Sequence, residues 1–268
     1  MKKKRMDVML FEKGLVKSID EARRVIMAGL AIADDKRIDK AGDMVPCDAH
    51  IRLKERLPYV SRGGLKLKYA IDYFQFNLKD ALVLDIGSST GGFTDVCLQE
   101  GAYEVVAVDS GTAQLHNKLL TDNRVKSFEN SNFKTFSFEN INSYCDFIVT
   151  DVSFISLCAI IPNAVNFCKE GTIFVPLIKP QFEAAKHEVD EGGIVHNKDV
   201  HIKVIKKVID FALDYGFTIQ GITTSPIKGA KGNIEYLCYF VYKGIKSIDN
   251  IENIIEKVVY NSESSVNS

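Results

Sequence analysis

Two hydrophobic rhythms divide the chain. In the first sixty residues, short stretches at helical spacing are separated by turn residues. Asp7 to Lys13 alternates apolar and charged positions at helical spacing, and Gly14 can cap its end. Ser18-Ile19-Asp20-Glu21 has the form of a capping box, with Ser18 as N-cap and Glu21 reaching back. The helix it opens, Glu21 to Ala28, carries Ala22, Val25 and Ile26 on one face with Arg23 and Arg24 beside them, and Gly29 ends it. Short strands at Leu30 to Ala33, Arg37-Ile38 and His50 to Leu53 complete a small α+β unit.

Beyond Pro58 the rhythm changes. Leu65 to Phe76 has helical spacing through Leu65, Leu67, Tyr69-Ala70 and Tyr73-Phe74. From Ala81 apolar runs alternate with helical segments, and strands are expected at 81–85, 104–108, 146–150, 171–178, 217–223 and 236–242. Runs apolar on both faces, separated by helices, predict a doubly wound, mostly parallel α/β sheet. Between the last two strands the loop Ser225 to Glu235 has no room for a crossover helix, so these are expected as antiparallel neighbours, with the last strand reversed. The longest uncharged stretch, Val152 to Cys168, is shorter than a bilayer span and holds Pro162, Asn163 and Asn166; it reads as a loop and a core helix. The expected division is 1–55 for the small unit, 56–60 for a linker containing Pro58, 61–260 for the sheet domain and 261–268 for a polar, disordered tail.

Charge sharpens this division. The whole chain carries a formal charge of −1. Residues 1–70 hold 17 Lys+Arg against 10 Asp+Glu, while the rest holds 17 against 25. A front of net +7 on a body of net −8 points to a polyanion partner at the front; the alternative is a solvated charged face. The six cysteines form no C-x-x-C pair and lie mostly in apolar runs, so neither a disulfide framework nor a zinc site is expected. No apolar segment follows Met1-Lys2-Lys3-Lys4-Arg5, so the chain is read as soluble and cytoplasmic.

Candidate chemistry lies at the strand ends. Asp85-Ile86-Gly87-Ser88-Ser89-Thr90-Gly91-Gly92-Phe93-Thr94-Asp95 joins the first sheet strand to a helix, where glycines let a backbone approach a ligand. Asp109 ends the second strand, where an acid can accept hydrogen bonds from a ribose. Gly87 and Gly91 are four apart and Gly92 follows directly, which departs from the dinucleotide fingerprint G-x-G-x-x-G. Asp85 would repel a diphosphate but suits the amine of S-adenosylmethionine (SAM), which is cationic and phosphate-free. A dinucleotide and a purely structural turn remain the alternatives. Asp151 and Lys179 follow two further strands, and Glu235 precedes the reversed one, so all three fall on one rim of the sheet. Catalysis and a plain ion pair both account for such a trio. No ligand pattern supports a metal at His187, His196 or His201. The glycine-containing acidic segment 183–195 is a candidate lid.

Two resemblances add to this. Met6-Asp7-x-x-Leu10, Gly14-Leu15-x-x-Ser18, Glu21-Ala22, Ile26-x-x-Gly29, Lys40-x-Gly42-Asp43 and Val45 resemble the RNA-binding domain of the ribosomal protein S-four type. The chain departs from that pattern at Ile19, where Arg is common, and at the turn Ala33-Asp34-Asp35-Lys36, in place of Val-Asn-Gly. Arg23, Arg24, Lys36 and Arg37 are its candidate phosphate contacts. Tyr59-Val60-Ser61-Arg62-Gly63-Gly64-x-Lys66-Leu67 resembles the TlyA family. So do the 85–95 loop, Val108-Asp109-x-Gly111-x-x-Gln114-Leu115, Asp151-x-Ser153-Phe154-Ile155-Ser156-Leu157, Lys179-Pro180-Gln181-Phe182-Glu183 and Gly232-Asn233-x-Glu235-Tyr236. The resemblance implies a Rossmann-like SAM-dependent methyltransferase domain of the FtsJ/RrmJ type. Its implied activity is 2′-O-methylation of ribosomal RNA at cytidine, without a metal.

Carried over by motif, the family's Lys-Asp-Lys-Glu tetrad falls on Lys66, Asp151, Lys179 and Glu235, with Lys179 as candidate base. Asp85, Gly87, Ser89, Thr90, Gly91, Gly92, Phe93 and Asp109 are the expected cofactor residues. Arg62 and Lys68 are further candidates for guiding RNA. Two other readings stand beside this one: a membrane-active haemolysin, from the family's second name, and a ribosome-assembly factor that binds RNA.

Overall fold

The computed structural model describes residues 2–27, 29–54 and 57–265. Ala28, the expected end of a helix, and Arg56, in the expected linker, lie outside the described residues. The chain divides into two compact units, Met1–Pro58 and Tyr59–Ser268.

The first unit runs β1 (Lys3–Arg5), α1 (Met6–Glu12), α2 (Ile19–Met27), β2 (Ala31–Ala33), β3 (Lys36–Arg37), β4 (Met44–Pro46) and β5 (Ile51–Leu53). β2 pairs antiparallel with β3 and β5, while β1 and β4 form a separate antiparallel ribbon. Met6, Met9, Leu10, Ala22 and Ile26 from the helices bury against Val45 and Ile51. The Ser18 hydroxyl accepts the Glu21 N–H at 3.1 Å, but the Glu21 carboxylate accepts from Lys17 N–H at 2.7 Å, not from the cap residue itself. The turn between β2 and β3 places Asp34 and Asp35 at φ 45° and 62°. A two-residue hairpin loop of this hand needs two left-handed residues, which aspartate tolerates better than most, so Asp-Asp serves where Asn-Gly is usual. β1 and β4 were not expected: three-residue strands, one of them Lys-Lys-Arg, carry no apolar alternation.

The second unit runs α3 (Gly63–Phe74), β6 (Leu82–Ile86), α4 (Gly92–Gln99), β7 (Glu104–Val108), α5 (Asn117–Leu120), β8 (Val125–Phe128), β9 (Cys145–Thr150), α6 (Ile161–Ala164), β10 (Cys168–Ile178), α7 (Pro180–Glu183), α8 (Lys198–Asp214), β11 (Phe217–Thr224), β12 (Tyr236–Tyr242) and α9 (Ile251–Ser265). Its seven strands are ordered β11-β12-β10-β9-β6-β7-β8. β8, β7, β6, β9 and β10 run parallel, and β12 runs antiparallel to both β10 and β11. The six expected strands are β6, β7, β9, β10, β11 and β12. The short edge strand β8 was not anticipated.

Helices cover both faces of the sheet, as continuous apolar strands require. Leu67, Ala70 and Ile71 of α3 and Phe93, Val96 and Cys97 of α4 pack on one face with Val83, Val105 and Val149. Ile161 of α6, Ile205 and Ile209 of α8, and Ile255 and Val259 of α9 pack on the other with Leu84, Ile148 and Phe174. The tail expected to be disordered from Asn261 instead continues α9 to Ser265. Ser262 is buried, and its hydroxyl donates to the Val259 carbonyl at 2.7 Å. Chain order reverses at β6, whose neighbours lead away in opposite directions through β7 and β9. Such a reversal opens a crevice at the carboxyl ends of the strands.

Candidate active site

The crevice holds two adjoining cavities. The first, of about 320 Å³, is lined by Lys66, Asp85, Gly87, Ser89, Thr90, Gly92, Phe93, Asp151 and Lys179, and by the segments 61–63 and 227–230. The second, of about 280 Å³, is lined by Asp109, Ser110, Ser131, Asn132, Phe133, Val152, Ile155 and Ile160. Gly87, Ser89, Asp151 and Ser153 belong to both walls.

The 87–91 loop is built by its own backbone bonds. Gly87 N–H donates to the Val108 carbonyl at 2.8 Å, and Gly91 N–H closes back onto the Ser88 carbonyl at 2.8 Å. Gly91 has φ +91°, and a Cβ there would stand 2.2 Å from Leu119 Cδ1, so glycine is required on both counts. Asp109 braces this loop: its Oδ2 accepts Ser89 N–H and its Oδ1 accepts Gly111 N–H, both at 2.7 Å. Each oxygen keeps a second lone pair. Glu129, just past β8, fixes the neighbouring turn by accepting N–H bonds from Ala113, Gln114 and Leu115.

Asp85 is fully buried. Thr94 Oγ1 donates to its Oδ2 at 2.6 Å, but its Oδ1 accepts no hydrogen bond. Burial pushes this carboxyl up to about 7, against the pull of the Thr94 hydroxyl. A buried carboxylate oxygen without a donor, on the wall of a cavity, fits a cationic ligand group.

Four charged side chains converge beside it. Lys66 Nζ lies 2.6 Å from Glu235 Oε2 and 3.5 Å from Asp151 Oδ2. Lys179 Nζ lies 2.6 Å from Asp151 Oδ1 and donates to Ser153 Oγ at 2.9 Å. Asp151 therefore serves both lysines, and Glu235 serves Lys66. The lysines and Glu235 are buried, while Asp151 is 21% exposed toward the cavity. Reversal of β12 brings Glu235 to this rim. Lys66 comes from α3, whose Gly63-Gly64 start abuts Gly92 at the start of α4. Asp95 Oδ2 accepts the Val60 N–H at 2.9 Å and ties the stretch before α3 to α4.

Other expected residues fall elsewhere. Arg62 lines the first cavity. Lys68 is absent from that lining and is held by Asp72 and Glu100 at 2.9 and 3.0 Å, which raises its affinity for its proton. In the first unit Arg24 and Lys36 are exposed, whereas Arg23 pairs with Asp7 and Asp20 and Arg37 with Asp39. The candidate lid 183–195 lines neither cavity. Glu183 instead turns inward and accepts from Ser156 Oγ and Leu157 N–H, both at 2.6 Å. Asn233 holds Gly193 and Val195 from the other side. His201 is a core histidine: Nε2 faces the Val195 carbonyl and so carries the proton, Nδ1 accepts from the Tyr236 hydroxyl, and burial lowers its pKa.

Sequence reasoning missed the 227–230 segment, Ser153 as a partner of Lys179, and the 131–133 wall. The last follows from missing β8. Phe154 was quoted only as part of a motif. It is 90% exposed, has φ +63° and stands 5.0 Å from the Phe182 ring.

A model of the FtsJ-like methyltransferases matches residues 59–242. Hemolysin A of Brachyspira hyodysenteriae is 39% identical over 88% of this chain and 99% of its own length. The 16S/23S rRNA (cytidine-2′-O)-methyltransferase TlyA of Mycobacterium tuberculosis is 36% identical over 88% of each chain. The solved structure of a hemolysin-named protein from Streptococcus thermophilus superposes with a TM-score of 0.77 at 40% identity, covering 100% of this chain and 98% of its own.

Proposed function

The chain belongs to the FtsJ-like methyltransferase family, among relatives of the TlyA proteins, and we propose that it transfers a methyl group from SAM to a ribose 2′-hydroxyl of ribosomal RNA. The observation that carries this is the four-residue charge network on the wall of the first cavity, beside the orphaned Asp85 oxygen. Asp85 would take the cofactor's ammonium, the 87–93 loop its methionine end, and Asp109 its ribose through the remaining lone pairs. The second cavity, with Phe133, Val152, Ile155 and Ile160, suits the adenine. When bound, SAM supplies a sulfonium methyl: the acceptor oxygen's electron pair forms the new C–O bond, the C–S pair stays on sulfur, and the hydroxyl proton goes to Lys179.

The residues of this chain supply position and one proton acceptor. Lys179, on the wall of the first cavity, is the base. Asp151 holds it there, and Glu235 holds Lys66 against the other Asp151 oxygen. Cytidine as the target follows the M. tuberculosis relative's name. The first unit, with Arg24 and Lys36 exposed, serves as the RNA-binding domain, and the protein works on ribosomal subunits or their RNA in the cytoplasm. Among the described residues no helix is long and apolar enough to cross a membrane, and no observation favours the haemolysin reading.

The test uses labelled SAM with unmodified ribosomal subunits and with naked rRNA, followed by mapping of the labelled ribose. Lys179→Ala is expected to lose at least 100-fold in turnover, on the scale of general-base catalysis, with calorimetric SAM affinity within about twofold of wild type. Wild-type turnover by that variant would refute the assignment of the base.

A further inference from the structure

We propose that Ser153 is a positioning residue for Lys179, aiming the vertex of its amine that exchanges a proton with the acceptor hydroxyl. This rests on the reading of Lys179 as the base.

Lys179 Nζ has three tetrahedral vertices besides its bond to Cε. Ser153 Oγ at 2.9 Å occupies one as a hydrogen-bond acceptor, while Asp151 Oδ1 at 2.6 Å pairs with the amine by charge, outside hydrogen-bond geometry. A neutral amine has two N–H bonds and one lone pair. The carboxylate can only accept, and in this geometry the hydroxyl oxygen accepts as well. With one N–H held on Ser153 Oγ, the lone pair is left to the two remaining vertices. Ser153 and Lys179 both line the first cavity, and Ser153 also lies on the wall shared with the second. The residue that fixes the amine therefore stands between the wall proposed for the methionine end and that proposed for the adenine.

The two lysines differ in the charge of their partners. Lys66 faces two carboxylates, Glu235 at 2.6 Å and Asp151 at 3.5 Å. Lys179 faces one carboxylate and one neutral hydroxyl. Each negative partner favours the ammonium form. A serine two residues after Asp151, on the same loop, supplies a second acceptor without a second charge.

The experiment uses the full-length protein with ribosomal subunits and labelled SAM, and compares wild type with Ser153→Ala, Ser153→Thr and Ser153→Asp. Loss of one orienting hydrogen bond in Ser153→Ala is expected to lower kcat on the order of tenfold, with the KM for RNA and the calorimetric SAM affinity within about twofold. Ser153→Thr keeps the hydroxyl and is expected to recover most of kcat. Ser153→Asp gives Lys179 the two-carboxylate surroundings of Lys66. It is expected to lower kcat as Ser153→Ala does, with SAM affinity kept, because the amine's partner on that side is no longer a neutral hydroxyl. Unchanged kcat in Ser153→Ala overturns the proposal. So does a loss confined to KM or SAM affinity, failure of Ser153→Thr to recover kcat, or a wild-type kcat in Ser153→Asp. A wild-type protein that labels no ribosomal RNA refutes the function proposed above, and is thereby told apart from failure of the Ser153 assignment alone.

Discussion

Asp85→Asn separates the demand of the site from the demand of the fold. The carboxyl is fully buried, accepts from the Thr94 hydroxyl and lies at about 7, against an ordinary value of 3.8. That difference of roughly three units, at about 1.4 kcal/mol each, amounts to some 4 kcal/mol, an upper figure for a buried group. The folded carboxyl is raised, so the folded state keeps a proton that the unfolded chain releases above pH 4. The group's contribution to stability is present below the unfolded value and is lost as pH rises toward 7. Asparagine does not titrate. Its amide, lacking a partner at the orphaned position, costs a constant about 1–3 kcal/mol. The expected result is a stability difference between variant and wild type that moves in favour of Asp85→Asn by up to roughly 4 kcal/mol between pH 4 and pH 7.5. Urea denaturation at half-unit pH steps measures it. With SAM present, wild type should gain more stabilisation at pH 7.5 than at pH 5.5, because the ligand's ammonium supplies the missing countercharge, while the variant gains little at either pH. Parallel stability curves for the two proteins would refute the burial argument for Asp85.

Three further outcomes are expected. A Cβ on Gly229 would stand 2.0 Å from Glu235 Oε1, so Gly229→Ala should displace the Glu235 carboxylate from Lys66 and cut kcat about tenfold or more, with SAM affinity kept in a calorimetric titration. Phe154 at φ +63° carries backbone strain while offering an exposed ring beside the cavity; Phe154→Gly should raise folding stability by about 1 kcal/mol and yet lower kcat/KM for RNA, on the order of tenfold if the ring stacks on a base. The double variant Arg24→Glu and Lys36→Glu should weaken ribosomal RNA binding in a filter assay and flatten its salt dependence, leaving SAM affinity unchanged.

The strands of the second unit were legible because each is a run of apolar residues long enough to cross a sheet buried on both sides. β8 was not, since Val125-Lys126-Ser127-Phe128 is short and half polar, as an edge strand can be. α9 left a signal that went unread: Ile251, Ile254, Ile255, Val258 and Val259 recur at helical spacing, but the polar residues after Tyr260 obscured it. Asp151, Lys179 and Glu235 could be placed on one rim from strand direction alone. Lys66 could not, because it reaches the rim from a helix that precedes the sheet. Lys68 shows the limit of charge counting: Asp72 is its i+4 neighbour on α3, but its second partner, Glu100, lies beyond β6 and meets it only in the folded unit. Ser153 Oγ was equally invisible, because a hydroxyl's partner is set by side-chain geometry that spacing does not encode.

Both ends of the stretch between β11 and β12 emerge at the catalytic edge, and the two strands pair from Phe217–Tyr242 through Thr224–Tyr236. Insertions or deletions within residues 226–232 would thus leave the sheet intact while remodelling the cavity wall from one side. The Glu235 backbone would stay anchored by the strand behind it, provided Gly229 is kept to leave its carboxylate room. Directed evolution toward a different acceptor RNA has a natural place to begin there: a segment that can vary in length and composition next to chemistry that does not have to move.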